Sequence, residues 1–156
     1  IKLRCISPIF RAFLMGWNMK TKHYLTLADA EIMMDAAIQY AEQQQFKVSI
    51  AIVDDAGALL LMKRMDGASA LTSGLCIEKA KASALSHRPT KVFEDLIRNG
   101  QMGFLTVETI RGMLEGGEPI QYQGELVGAI GISGVKSFQD AEIAQHAIQQ
   151  FLEQLS

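Results

Sequence analysis

Cysteine is scarce: Cys5 and Cys76 are the two in 156 residues. Neither stands in a C-x-x-C or C-x-x-H spacing, so the sequence offers neither a disulfide framework nor a thiolate zinc site. Cys76 falls inside an apolar helical pattern, where a free cysteine behaves as a small hydrophobe. The chain reads as cytoplasmic. An excess of charge is also lacking, since 15 basic residues against 17 acidic ones leave a formal net charge of −2. Nucleic-acid binders leave a strong basic footprint, so nucleic acid is not an expected partner. Long apolar runs are missing too. The stretch Ala12–Met19 is uncharged but too short to span a bilayer, so no membrane association is expected. There is no G-x-S-x-G, no Walker motif, no H-E-x-x-H, no internal repeat and no low-complexity segment.

The first residues differ from the rest. Lys2, Arg4 and Arg11 mix with Phe10, Phe13, Leu14, Met15 and Trp17, without the apolar region and small-residue cleavage site of a secretory signal. Residues 1–18 are therefore expected to be a leader or vector-derived segment, with an arm docking on a neighbouring subunit as the alternative. Residues 19–156 are expected to form one domain, which this length supports.

Within those residues the hydrophobic pattern switches period. Thr26-Leu27-Ala28-Asp29 is a capping-box-like start, and Leu27, Ala30, Met34, Ala37, Ile38 and Ala41 follow at helical spacing, predicting a helix over 27–45. Val48, Ile50 and Ile52 alternate with Ala51 and Val53 in a strand over 47–54, buried on both sides. The turn cluster Asp54-Asp55-Ala56-Gly57 leads to a second strand over 58–65, forming a hairpin. A helix over 69–86 follows, its second half built from small residues. Pro89 interrupts, and Thr90 is placed to cap a short helix over 91–98 that stops at Asn99-Gly100. Pro119–Tyr122 and Glu125–Ser133 form another hairpin through Gln123-Gly124. Ser137-Phe138-Gln139-Asp140 reads as a capping box opening the last helix. The order is α-β-β-α-α-β-β-α, with an extra strand possible in the pattern near 111–115. Hairpins separated by helices predict an α/β fold of the α+β type, an antiparallel sheet with helices packed on it.

Gly128-x-x-Gly131-x-x-Gly134 superficially resembles a dinucleotide loop. The Rossmann fingerprint needs G-x-G-x-x-G and a βαβ unit, whereas here one helix is the last expected element. The glycines fit close helix packing on a strand instead. His23 stands just before the first helix, within reach of a ligand or a neighbouring subunit. His87 marks a helix end, where a cation suits the dipole, and His146 lies on a polar flank. None pairs with another histidine at metal-ligand spacing. Asp54, Asp55 and Asp66 lie at turns, where aspartate is common for local hydrogen bonding. No reaction is identified by these residues.

Several motifs in order resemble a known family. They are Val53-Asp54-Asp55-Ala56-Gly57, Arg64-Met65-Asp66-Gly67-Ala68, Lys79-Ala80-x-x-Ser83-Ala84 and Arg88-Pro89-Thr90. Gly116-Gly117-Glu118-Pro119-Ile120, Gly128-Ala129-Ile130-Gly131-Ile132-Ser133-Gly134 and Gln139-Asp140-x-x-Ile143-Ala144 follow. Over about Leu25–Leu155 the chain resembles the GlcG/HbpS family of haem-binding-type proteins, which includes the C-terminal domain of PduO-type corrinoid adenosyltransferases. The resemblance implies a profilin-like or GlcG-like sheet of about five strands and assembly into homo-oligomers, often octamers. It implies haem as the cofactor and partners among diol or glycerol dehydratases or glycolate-oxidising enzymes. Adenosyltransferase activity belongs to a different domain and is not implied. His23 stands where the family's N-terminal axial histidine would, with Lys22 beside it for the propionates.

Three functions compete. The first is an oligomeric, non-enzymatic accessory protein binding haem or a related tetrapyrrole, associated with small diol, glycerol or glycolate metabolism. The second is a small-molecule enzyme whose anion site between subunits uses Arg64, Asp66, Lys79 and Arg88, with backbone donors from Gly116 and Gly117. The third is a ligand-free structural partner of a metabolic enzyme.

Overall fold

Two interleaved sets of side chains on each central strand decide the architecture. In the computed structural model, which describes residues 20–155, strand β1 (Ser49–Asp54) sends Ile50 and Ile52 into one apolar cluster and Ala51 and Val53 into another. A strand buried on both faces must lie inside a sheet covered on both sides. β1 pairs with β2 (Leu59–Arg64) and with β4 (Glu125–Ser133), and β4 pairs with β3 (Gly117–Tyr122). The sheet is antiparallel throughout in the order β2-β1-β4-β3. Among the described residues it has four strands, where the family resemblance implied about five.

The missing strand has a physical reason. A Cβ on Gly112 would lie 2.2 Å from the backbone of Glu78 and Lys79. The chain there presses against a helix and does not extend the sheet, with Met113 buried beneath it. A 3₁₀ helix, Met102–Thr106, precedes this segment.

Helices α1 (Leu27–Gln43) and α4 (Ser137–Gln154) cover one face of the sheet. Their Met33, Met34, Ala37, Ile143, Ala147 and Phe151 meet Ile50, Ile52, Ile120, Ile130 and Ile132. Helix α2 (Ala70–Ser86) covers the other face with Cys76, Ala80 and Ala84. Its small residues meet a row of small residues, Ala51, Gly131 and Gly117, in register across three strands. A Cβ on Gly131 would come 2.1 Å from the Cys76 carbonyl oxygen, so helix and sheet touch backbone to backbone. Of the three glycines in the pattern, Gly131 serves helix packing, whereas Gly128 faces Val53 and Leu25 and Gly134 faces Lys47 and Val48. Helix α3 (Lys91–Arg98) follows the turn at Pro89.

Local signals were honoured unevenly. Thr26 and Asp29 form the reciprocal capping box, with Thr26 N–H donating to Asp29 Oδ2 at 2.8 Å and Asp29 N–H to Thr26 Oγ1 at 3.2 Å. Asp54 Oδ1 accepts from the Ala56 and Ala58 amides at 2.9 and 2.8 Å, a purely local turn role. Gln123 and Gly124 both take positive φ, 50° and 81°, the backbone of a primed hairpin turn. Two expected caps are not formed. Thr90 is itself helical, and its hydroxyl donates to the Leu114 carbonyl and accepts from Gly117 N–H at 2.9 Å. At α4 the cap is Lys136, whose N–H donates to Gln139 Oε1 at 3.2 Å, while Asp140 turns inward. The expected leader, residues 1–18, lies outside the described residues.

Candidate functional site

His23 is placed by the residue two positions after it. Leu25 is buried, and it sits where a Cβ on Gly128 would be 2.5 Å from its Cδ1. Gly128 therefore makes the socket that pins the segment leading into α1 across β4. This brings His23 beside the β3–β4 hairpin. Glu125, the first residue of β4, accepts from His23 N–H at 3.3 Å, and its carboxylate lies 3.1 Å from His23 Nδ1. That bond holds the Glu125 carboxyl below the usual carboxylate range. Tyr122 meets the imidazole edge-on, with ring centroids 5.1 Å apart.

A recess of about 160 Å³ opens here, its wall made by Leu25, Val127, Phe151 and Leu155 with His23, Tyr24, Tyr122 and the Asp29 carboxylate. With Nδ1 facing a carboxylate, Nε2 is the ring nitrogen that can ligate iron, and the carboxylate fixes the ring's orientation. Lys22 pairs with Asp55 on the exposed surface, and that hydrogen bond raises the lysine pKa. Exchanging such an exposed pair for a ligand's acid is a small perturbation. The residues present therefore fit an edge of a haem: one imidazole, an apolar wall and a movable cation. Among the described residues, no group of three or more His, Cys, Asp or Glu could hold a bare metal ion.

The residues expected to bind an anion are distributed differently. The Lys79 ammonium is buried, donating to the Asp140 carboxylate at 2.8 Å and to the Ile132 carbonyl at 2.9 Å. Gly116 and Gly117 stand over it, since a Cβ on Gly116 would lie 2.9 Å from Lys79 Nζ and one on Gly117 2.4 Å from the Lys79 carbonyl. Lys79 and the two glycines thus meet in the interior, with the ammonium already neutralised. Arg64 and Asp66 precede α2 and Arg88 follows it. A helix of 17 residues separates its ends by about 25 Å. Within one chain these side chains are not brought to one site.

Two buried acids escaped the sequence reading. Asp140 falls in a capping pattern of the sequence but is buried, and burial raises its pKa against the opposing pull of Lys79. Glu118 sits in a run that looks like a loop, Gly116-Gly117-Glu118-Pro119, yet it is 6% exposed on strand β3. Its period-two relation to buried Ile120 was the available signal. Burial lifts the Glu118 carboxyl to about 7, although a hydrogen bond from Gln145 acts in the opposite direction. Glu118 lies in the wall of an open cleft of about 650 Å³ between β3, α4 and the turn at 87–89. His87 ends α2 in the left-handed conformation, φ 58°, and also borders this cleft. His146 stacks on Tyr40 between α1 and α4, with centroids 4.6 Å apart.

No described helix is long and apolar enough to cross a membrane. Comparison with known proteins gives a consistent picture. The family model described as haem degrading protein HbpS-like matches residues 25–149. Protein GlcG of Escherichia coli strain K12 is 38% identical over 115 residues, covering 74% of this chain and 85% of GlcG. The crystal structure of a Streptomyces reticuli HbpS double mutant superposes with TM-score 0.78 at 26% identity, over 86% of this chain and 91% of that one. The crystal structure of a PduOC–haem complex superposes with TM-score 0.74 at 29% identity, over 82% of this chain and 95% of that one.

Proposed function

This chain belongs to the HbpS-like family, and on that premise we propose that it is a cytoplasmic, homo-oligomeric accessory protein that binds haem or a related tetrapyrrole. The observation carrying this reading is His23, held through Nδ1 by Glu125 at a recess with one apolar wall. The similarity to a haem-bearing PduOC structure supports it. Bound haem would supply iron whose behaviour is set by the axial ligand and its surroundings. His23 would ligate it, Glu125 would orient the ring, Phe151 and Val127 would exclude water, and Lys22 would meet a propionate.

Size argues for the oligomer. A recess of about 160 Å³ is small beside the roughly 300–1,000 Å³ of ordinary ligand pockets. It accepts only an edge of a macrocycle, and a second copy would have to cover the rest. The metabolic setting proposed is that of small diols, glycerol or glycolate, with an enzyme of that metabolism as partner.

Haemin titrated into the purified protein should give a shifted Soret band, weakened in His23→Ala. A flat titration at micromolar protein overturns the reading. A shift unaffected by His23→Ala would move the site elsewhere.

A further inference from the structure

A second cleft, apart from the His23 recess, lies beside Glu118. Among the described residues its ionisable wall residues are Glu118, Glu153 and His87, and neither lysine nor arginine lines it. Pro89, Pro119, Ile148 and Leu152 give it hydrocarbon walls. Glu118 projects from β3, an edge strand of the sheet. Pro119 removes a backbone donor from that edge, which disfavours closure of the cleft by an added strand.

An ionised carboxylate among apolar walls is unfavourable unless a cation meets it. The protein supplies Glu118 with a Gln145 hydrogen bond and with the neighbouring Glu115 charge, which repels further negative charge. Anions are therefore disfavoured here, the propionates of a haem included. A molecule bringing an ammonium head and a hydrocarbon body would match both the carboxyl and the walls. Glu153, exposed at the helix end, adds attraction for a cation.

We propose that this cleft is a second, haem-independent binding site for a small protonated alkylamine, with the ammonium on Glu118 and the alkyl chain against Pro119, Ile148 and Leu152. Binding selects the ionised carboxylate, so near neutral pH amine uptake releases a proton from Glu118.

The test uses the full-length protein and three probes of one shape: hexylamine, 1-hexanol and hexanoate. Calorimetry should show hexylamine binding at least about tenfold tighter than either analogue, a factor that corresponds to 1.4 kcal/mol. The heat at pH 7 should vary with buffer ionisation enthalpy, reporting proton release. Glu118→Gln should remove both the preference and the proton release. Glu153→Lys, an exposed change with little effect on folding, should weaken hexylamine severalfold. His23→Ala should leave amine binding unchanged, which separates this site from the haem reading. Equal binding of hexylamine and hexanol, an amine preference surviving in Glu118→Gln, competition by haemin, or no binding of any probe would each overturn the proposal.

Discussion

The Lys79 ammonium and the Asp140 carboxylate stand 2.8 Å apart, with side chains only 2% and 3% exposed. Lys79 comes from α2 on one side of the sheet and Asp140 from the first turn of α4 on the other. The ammonium also holds the Ile132 carbonyl at 2.9 Å, and Val135 N–H donates to Asp140 Oδ1 at 3.2 Å. The pair therefore fastens two helices and the end of β4 at the point where the chain leaves the sheet. Desolvating two charges opposes much of their mutual attraction. The arrangement specifies geometry more than it adds net stability.

Removing one member should be costly because the other stays buried without a counter-ion. Lys79→Met is expected to lower unfolding free energy by about 3–5 kcal/mol. Adding Asp140→Leu to it should restore most of that loss. Urea denaturation of the single and double variants checks both expectations. A double variant no better than Lys79→Met would contradict the charge argument.

Glu118 makes stability depend on pH. Its carboxyl titrates at about 7 when folded against 4.5 as its ordinary value, so the folded state keeps its proton over an interval where the unfolded chain has lost it. Stability should fall as pH rises from about 4.5 to about 7, by roughly 3 kcal/mol from this group at most, and then level off. In Glu118→Gln that contribution to the slope should vanish, leaving the variant more stable than wild type at pH 8. Chemical denaturation at pH 5, 6, 7 and 8 measures it.

Gly131→Val should be among the most damaging single changes in the sheet. Its first side-chain carbon would already stand 2.1 Å from the Cys76 carbonyl oxygen and 2.5 Å from the Ala80 nitrogen. These neighbours are backbone and cannot rotate away, so the loss should exceed the roughly 1–3 kcal/mol usual for overpacking. Thermal unfolding, with Gly103→Ala at an exposed position with open space around it as a reference for glycine replacement alone, gives the comparison.

Cys76 should be inert while the protein is folded. It is fully buried, and desolvation pushes its thiol up to about 11, whereas the reactive species is the thiolate. In a Cys5→Ser background, Ellman's reagent at pH 8 should react only as fast as the chain unfolds. Rapid stoichiometric reaction in buffer would contradict this.

The element order was legible because each segment carries one strong period. Alternation in Val48–Val53 and the stripe of α1 are local signals, and so are Asp54 and Gln123-Gly124 at the turns. Thr90 and Asp140 depart from the capping roles expected of them because a capping pattern is local, whereas their partners lie far along the chain. Thr90 binds residues 114 and 117, and Asp140 binds Lys79. The position of His23 before α1 was visible, but Glu125, 102 residues away, was not. Of the residues expected at an anion site between subunits, the length of α2 keeps Arg64 and Arg88 apart within one chain.

β3 carries Glu118 towards the cleft and Gly117 towards α2, one residue apart on opposite faces. On the α1–α4 side the strands rest on Met33 and Met34, flexible side chains that can readjust. On the α2 side the side chains between are mostly small, and at Gly131 and Gly117 the strands approach the main chain of Cys76 and Lys79 directly. The molecule therefore has a compliant flank and a stiff one. A shift of β3 caused at the cleft would pass through a single backbone thickness into the axis of α2.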